Sequence, residues 1–372
     1  LFLENIGYSG DPFVHSSEIY DYFNKERERD NKKYEEWKAN LDKRLSNDDN
    51  FKIMWNKFNN IDFQSVSLEW SDDLASRVIG GKILNEMGKS NKFIIGGSAD
   101  LAASTKQIVS NEVFGPENYG GNSLEFGIRE HAMGGIVNGI SLHSNLVPYG
   151  STFLVFSDYM RPSIRLASLM ETNSVFIFTH DSIFLGEDGP THQPVEHLMA
   201  LRLIPGLDVI RPANNNEILH AYRFAFENKN KPSAIVLSRQ DMKYLEKNIK
   251  YDEFIRGAYE YSPGKDITIF ASGSELEIAV EVSNLLDDLS IQVISVPMLN
   301  KLNNETLNSL NPNSEIFTIE LGRSIGWDSY IKNIKKSFSI DSFGKSAPIV
   351  DLINEFDFAI ENIAKEIKNL IN

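Results

Sequence analysis

The feature that most constrains the fold of this chain is a repeated alternation of short apolar runs with helical patterns. The alternation starts near Glu69, pauses in a polar stretch at residues 241–265, and then resumes. Continuous apolar strands separated by helices are typical of a parallel sheet that is covered on both faces. The pattern therefore predicts an α/β protein with two successive three-layer α/β/α domains, each built on a mainly parallel sheet.

The first 65 residues have a different character. They mix Lys, Glu, Asp and Asn with few aliphatic side chains, so they cannot form a core of their own. They predict a helical interdomain linker anchored by aromatic side chains, namely Tyr20, Phe23, Tyr34 and Trp37. The predicted domains after it cover residues 66–245 and 246–372.

Two local patterns set expectations for helix ends. Ser71 is the predicted N-cap of the first helix of the α/β region, because acidic residues follow it in the first turn. The last amphipathic pattern, IVDLINEFDFAIENIAKEIKNL, predicts one continuous helix.

Composition narrows the possible partners. A net charge of −15 argues against nucleic acid and against anionic membranes, although a phosphorylated substrate needs only a few local cations. No apolar run approaches the ~18 residues that a membrane span requires. The absence of cysteine excludes disulfides, thiolate metal sites and a Cys nucleophile, and it fits a cytoplasmic protein.

The segment FTHDSIFLGEDGPTHQP, residues 178–194, is the most informative. It follows a predicted buried strand, and ligands bind at that edge of an open α/β sheet. It holds two histidines and three acids among glycines and prolines: His180, Asp181, Glu187, Asp188 and His192. Such a loop either surrounds a polar ligand or is a hydrogen-bonded surface loop. Its histidine spacing matches no compact metal motif, so we predict no metal here.

Two further segments could complete a site. Glu130 lies where a strand gives way to a helix, so it is either an acid held for catalysis or one that interacts with the helix dipole. Phe153, Phe156 and Tyr159 recur every three residues and are predicted to share one helical face. That face could bind a flat heterocycle or could simply be core.

Cationic residues near strand ends suggest an anion site. Arg239 follows a predicted buried strand, and Arg77 lies on a predicted helix. Arginine binds phosphate bidentately, although a surface ion pair is the ordinary alternative. The turn GGSADLAAST also ends a strand and could approach a ligand.

Together these segments resemble one family. GSADL, GIREHAM, TFLVFSDY, GEDGPTHQP and LSRQ, in this order and spacing, are similar to the pyrimidine-binding and C-terminal domains of transketolases. The resemblance runs from about residue 12 to the end of the chain. It implies reversible transfer of a two-carbon ketol unit from a ketose phosphate to an aldose phosphate, with thiamine diphosphate as cofactor.

The resemblance also implies residue roles. Glu130 matches the glutamate that hydrogen-bonds the aminopyrimidine ring and so promotes deprotonation of the thiazolium carbon. The second predicted catalytic residue is His180, which also matches a residue that contacts sugar hydroxyls. The other predicted cofactor contacts are Phe153, Phe156, Tyr159 and Asp100, an acid near the subunit interface. The other predicted substrate contacts are Asp188 and His192 for hydroxyls, and Arg77, Ser104 and Arg239 for the phosphate.

The sequence departs from the family in two respects. It has no GDG motif followed by Asn, which in the family holds the diphosphate through Mg²⁺. The resemblance therefore implies that this chain supplies the pyrimidine half-site only and pairs with itself or with a complementary N-terminal half. We expect the isolated chain to bind cofactor weakly and to be inactive. Phe184 is also bulkier than the glycine expected there.

Other assignments stay open on the sequence alone. The beta subunit of a 2-oxo acid dehydrogenase has the same two domains, although GEDGPTHQP favours a transketolase. Deoxyxylulose phosphate synthase is related but typically differs in that loop. A non-catalytic dimerisation module is the alternative from another class.

Overall fold

The computed structural model describes residues 2–11, 13–59, 66, 72–302, 306–307, 311 and 313–371. The chain divides into two compact units, residues 1–60 and 61–372. The described residues of the first unit form three helices: α1 (Phe2–Asn5), α2 (Ser17–Asn47) and α3 (Asp49–Asn59). None of them has a buried residue, as expected for a charged helical segment. The four predicted aromatic anchors are all at least half exposed.

The second unit begins with a parallel six-stranded sheet in the order β3-β2-β4-β5-β7-β6, with a short antiparallel pair β1-β8 beside it. The strands are β1 (Leu74–Ala75), β2 (Ile94–Ser98), β3 (Ser123–Glu125), β4 (Val147–Phe153), β5 (Val175–Thr179), β6 (Asp208–Ile210), β7 (Ser233–Leu237) and β8 (Asp241–Met242). The helices are α4 (Ser76–Ser90), α5 (Ala102–Thr105), α6 (Glu130–His143), α7 (Ser157–Leu169), α8 (His197–Arg202) and α9 (Asn215–Glu227). Residues 72–242 are called the six-stranded half below.

A second sheet follows, with five strands in the order β13-β12-β10-β11-β9, and only its edge strand β9 is antiparallel. Its strands are β9 (Tyr259–Ser262), β10 (Ile267–Ala271), β11 (Ile291–Ser295), β12 (Glu315–Ile319) and β13 (Ile334–Phe338). The helices are α10 (Tyr251–Phe254), α11 (Glu275–Leu285), α12 (Trp327–Tyr330), α13 (Ile349–Glu355) and α14 (Ile360–Ile371). Residues 257–371 are called the five-stranded half below.

Strand β5 shows why the apolar runs form a doubly covered sheet. Val175 and Ile177 face a core cluster that contains α4 and α9, whereas Phe176 and Phe178 face a cluster that contains α6, α7 and α8. All four side chains are fully buried. Because alternate residues of a strand point to opposite faces, an uninterrupted apolar run buries both. The predicted α/β/α layering is confirmed.

Some predicted element limits are wrong. Helix α4 begins at Ser76 rather than near Ser71, because β1 occupies Leu74–Ala75; Ser71 itself lies outside the described residues. The predicted final helix is two helices, since Asp357 adopts a left-handed backbone with φ of 56° between α13 and α14.

We searched the described helices for a span that could cross a bilayer. None of them combines the necessary length with sufficient apolar character.

Candidate active site

The candidate site lies where the strands of the six-stranded sheet end. Phe153 is the last residue of β4, and His180 directly follows β5. Arg239 comes two residues after β7, and Asp100 two residues after β2. Because these strands are parallel, their carboxyl ends meet at one edge of the sheet, where open α/β sheets bind ligands.

Aromatic and imidazole rings form a continuous cluster at this edge. Phe153 stacks on His180, with ring centroids 3.6 Å apart, and on Phe156 at 5.8 Å with an interplanar angle of 10°. Phe156 in turn contacts Tyr159 at 6.1 Å and the ring of His192 at 5.5 Å. Five of the predicted site residues are thus brought together.

The elements that carry the three aromatic rings differ from the prediction. Phe153 ends a strand, Phe156 closes a 3₁₀ turn at Leu154–Phe156, and Tyr159 lies in α7. The rings therefore do not share one helical face. Phe153 is buried under His180, whereas Phe156 is half-buried and Tyr159 is exposed, so the latter two present free ring surface.

His180 is held as a neutral imidazole. Its side chain is 3% exposed, and its Nδ1 lies 2.8 Å from the Thr179 hydroxyl. Burial, followed by the positive charges of Arg77 and Arg239 and by His192, lowers the pKa of His180 to about 3. A neutral imidazole can accept one hydrogen bond and donate another, as contacts to sugar hydroxyls require.

This lowered pKa has a measurable consequence. In an NMR titration, the His180 ring resonances of the folded protein are expected to stay constant from pH 8 to pH 5, whereas in the urea-unfolded chain they titrate near the ordinary value of about 6.5. Between these two pKa values only the unfolded chain binds the proton, so His180 lowers the free energy of unfolding as the pH falls below about 6.5. A folded-state midpoint near 6.5 would contradict the burial of His180.

Two arginines supply positive charge beside His180. Burial first, and then repulsion from Arg239, lowers the pKa of the Arg77 guanidinium, with Asp241 opposing the shift. Arginine nevertheless stays charged in proteins. Arg77 donates through Nη1 to the backbone carbonyl of Ser104, and Arg239 is exposed. Of the three residues predicted to bind phosphate, Arg77 and Ser104 are therefore in direct contact. Arg77 and Arg239 are close enough to repel each other electrostatically.

The loop after His180 is shaped by a residue that the sequence analysis did not assign. Gln193 is buried and donates through Nε2 to the carbonyl oxygens of Ile183 (3.1 Å) and Gly186 (3.0 Å). Asp188 is exposed on this loop. His192 is half-buried, and its Nδ1 lies 3.0 Å from the Thr191 hydroxyl. The bulky Phe184 is buried and contacts Phe358 edge to face at 6.4 Å, which gives this side chain a packing role.

Glu130 is the first residue of α6 and is half-buried. Helix α6 packs closely on α7: the Asn138 amide donates to the Ser163 carbonyl at 2.8 Å, and a Cβ on Gly134 would lie 2.7 Å from that of Ser163. Within the described residues, no hydrogen bond, ion pair or ring contact joins Glu130, Asp100 or Asp188 to the aromatic and imidazole cluster.

A cavity of about 710 Å³ lies beside this region. Asp100, whose backbone φ is 58°, lines it together with Glu125 and Arg129. Neither Glu125 nor Arg129 was assigned from the sequence. Glu125 is exposed at the end of β3 and belongs to no motif that could have identified it, whereas Arg129 lies within GIREHAM, directly before Glu130, and was overlooked.

Among the described residues, one group of three side chains brings its ligand atoms as close to one another as a metal site requires. The three residues, near α7 and α8, are Asp158, Glu196 and His197. His197 is 5% exposed, while both acids are 56% exposed. Its Nε2 lies 3.2 Å from Asp158 and its Nδ1 lies 3.9 Å from Glu196. The imidazole thus lies between two carboxylates, one near each ring nitrogen, whereas a metal ion would take a single ring nitrogen.

Comparisons with known proteins agree with this architecture. Residues 72–243 match the family model described as transketolase, pyrimidine binding domain, and residues 257–359 match the transketolase-like C-terminal domain. A transketolase of Halalkalibacterium halodurans is 41% identical over 83% of this chain and 48% of its own length. A transketolase of Bacillus subtilis is 38% identical over 97% of this chain and 57% of its own length.

The fold comparison gives the same result. The solved transketolase of Pichia stipitis, in complex with sedoheptulose-7-phosphate, superposes with a TM-score of 0.89 at 28% identity over 97% of this chain and 56% of that one. The chain thus spans about half the length of the curated relatives it matches. With both domain models matched in order and the strand-edge cluster in place, the chain belongs to the transketolase family.

Proposed function

We propose that this chain supplies the pyrimidine-facing side of a thiamine diphosphate site that transfers a two-carbon ketol unit reversibly from a ketose phosphate to an aldose phosphate. The observation that supports this most is the cluster at the strand edge. It combines stacked aromatic rings, a buried neutral imidazole and two arginines whose charges act on that imidazole. The other steps of the reaction are proposed by analogy with the transketolase family.

The residues present fit the pyrimidine ring. Phe156 and Tyr159 offer free aromatic surface, which suits a flat heterocycle, with Phe153 packed behind them. The half-buried Glu130 offers a carboxyl group for a ring nitrogen, and Asp100 is proposed as a further contact. When bound, thiamine diphosphate supplies the electron sink for breaking and forming the carbon–carbon bond. The sequence has no GDG motif, so we place the diphosphate and Mg²⁺ on a different domain.

The remaining residues orient the sugar phosphate. Arg77, Ser104 and Arg239 are proposed to bind the phosphate, because two guanidinium groups that repel each other gain from a dianion between them. His180, Asp188 and His192 are proposed to hold the sugar hydroxyls. As a neutral group, His180 can hydrogen-bond a sugar hydroxyl without adding charge to the site.

A two-substrate assay tests the function. The protein assembled with a diphosphate-binding domain, from the same or a second chain, is given thiamine diphosphate and Mg²⁺. We expect ketol transfer from a ketose phosphate to an aldose phosphate and no decarboxylation of pyruvate. Pyruvate decarboxylation without ketol transfer would indicate a 2-oxo acid dehydrogenase beta subunit. Absence of both reactions in an assembly that binds the cofactor would favour a non-catalytic module.

The domain limits remain a proposal: a linker over 1–65, the pyrimidine-binding domain over 66–245 and the C-terminal domain over 246–372. The matched models, at residues 72–243 and 257–359, fall inside the two proposed domains. The cytoplasmic location expected from the cysteine-free composition also stays a prediction.

We further propose that the chain pairs, with itself or with a complementary N-terminal half, through the outer face of α6. That face is apolar and open: Ile136 is 47% and Leu142 is 59% exposed, and a Cβ on Gly135 or Gly139 would meet nothing within 4 Å. Exposed apolar patches on soluble proteins commonly mark interaction surfaces.

Pairing through this face predicts that a single charged substitution there will dissociate the assembly. Ile136→Asp is expected to lower the sedimentation coefficient to that of the unpaired chain, since a charge would be desolvated in the interface. Leu285→Asp, at a residue 51% exposed on α11, is the matched control and should leave the assembly intact. An assembly that withstands Ile136→Asp would contradict pairing through α6.

A further inference from the structure

The loop that carries His180 and His192 is attached to the five-stranded half at several points. Asp181, the residue after His180, is paired with Arg211, which also binds Glu275 of α11. Gln193 donates through Nε2 to the Lys345 carbonyl at 2.9 Å, and the Ser346 hydroxyl donates to the Glu187 carbonyl. These contacts attach residues 181–193 to the five-stranded half.

The Arg211 connection is the most buried of these. The Arg211 side chain is fully buried, and Asp181 and Glu275 are at most 2% exposed. Arg211 donates to Asp181 Oδ2 from Nε (3.0 Å) and from Nη2 (2.8 Å). Nη2 also donates to Glu275 Oε1 at 3.1 Å, and Nη1 donates to Glu275 and, at 2.8 Å, to the Ser272 carbonyl.

The far end of this connection is also fixed. Glu275 accepts from the Leu321 amide at 3.0 Å, and the Gly273 amide donates to the Arg211 carbonyl at 3.1 Å. A Cβ on Gly273 would lie 2.7 Å from the Arg211 guanidinium carbon, so Arg211 has little room to move. The planar, multiply bonded guanidinium therefore links the end of β5 to two loops of the five-stranded half.

His180 needs such support. Its backbone φ of 60° is left-handed, which a residue with a Cβ adopts only where the surroundings impose it. The next residue is the Asp181 that Arg211 grips. We infer that Arg211 is a positioning residue for His180, and that the five-stranded half contributes to the active site by holding Arg211 and Asp181 through Glu275. This inference rests on the proposed role of His180 in the ketol transfer.

Arg211→Lys tests it, with Arg202→Lys as the matched control. Arg202 is a second buried arginine that also joins the two halves. It pairs with Glu320, whose Oε1 also lies 3.8 Å from Arg211, and it makes no contact with the His180 loop among the described residues. Both variants are studied in the assembled enzyme, with the folded fraction measured by circular dichroism. Activity is expressed per folded molecule, and the His180 ring resonances are recorded by NMR, assigned with His180→Asn.

We expect Arg211→Lys to shift the His180 resonances and to lower kcat/KM by about ten-fold or more, since small misplacements of a substrate-contacting group are costly. Arg202→Lys should leave both readouts as in the wild type. Equal losses in the two variants, or wild-type readouts in Arg211→Lys, would overturn the inference. If Arg211→Lys does not fold, Glu275→Gln replaces it and should move the same resonances; unmoved resonances would again overturn the inference.

The NMR readout separates this inference from the proposed function. If the wild-type assembly shows no ketol transfer but Arg211→Lys alone shifts the His180 resonances, then the positioning role stands and the proposed function fails.

Discussion

Replacing Glu130 with Gln is expected to lower kcat for ketol transfer by about 10²-fold or more, because a positioned acid–base group contributes on that scale. The substitution keeps the size of the side chain and removes only the group that can exchange a proton. Glu130 is half-buried at the start of α6, so the folding cost is confined to a lost helix-dipole interaction of about 0.3–1 kcal/mol. The loss should therefore appear in kcat and not in the amount of folded protein.

Steady-state kinetics of the assembled enzyme, at saturating cofactor and sugar phosphates, measure this effect. Glu361→Gln is the control, since Glu361 is an exposed acid in the first turn of α14, outside the candidate site. It should retain the wild-type kcat. Full turnover in Glu130→Gln would remove the reason for assigning the pyrimidine half-site to this chain and would favour a dimerisation module.

The second large effect concerns stability. Arg202→Ala is expected to lower the free energy of unfolding of the two-sheet unit by about 3–5 kcal/mol, the usual cost of breaking a buried ion pair by removing one partner. Arg202 donates from Nη1 (2.7 Å) and from Nη2 (2.8 Å) to Glu320, which is 3% exposed. The Trp327 indole also donates to Glu320 at 2.8 Å. Without Arg202 this carboxylate would lose its principal positive partner in a buried position.

The pair also predicts a pH dependence. Burial alone raises the pKa of the Glu320 carboxyl, but Arg202 and Arg211 outweigh burial and hold the pKa below its ordinary value. The stability that Glu320 contributes is therefore present above the unfolded-state pKa of about 4.3 and is lost as the pH falls through the folded value. Urea unfolding followed by tryptophan fluorescence measures both effects. Lys368→Ala is the control, since its ion pair with Asp288 is exposed and contributes little to stability.

The sequence predicted the parts of the fold that have a local signal. Runs such as VFIF, residues 175–178, are apolar at every position, which identified buried parallel strands in both sheets. Strand β13 has the sequence IKKSF and lacks this signal, because its charged residues break the apolar run at an edge position.

The sequence predicted the residues of the site but not the contacts that hold them in place. The motifs identified His180, His192 and the aromatic rings, which the structure brings together. The turn at Leu154–Phe156 was missed, because its apolar residues are equally compatible with a helix. Arg211 and Glu275 were missed for another reason: they lie 30 or more residues from Asp181 along the chain and carry no motif, so only the folded chain shows that they meet.

The central claim is that Glu130 and the aromatic rings form one wall of the pyrimidine pocket. A crystal structure of the assembled enzyme with thiamine diphosphate measures this directly. We expect the Glu130 carboxyl group to lie within hydrogen-bond distance of the aminopyrimidine and the Phe156 ring to stack on it. A pyrimidine ring bound elsewhere, with Glu130 in contact with solvent or with protein alone, would contradict the proposed half-site.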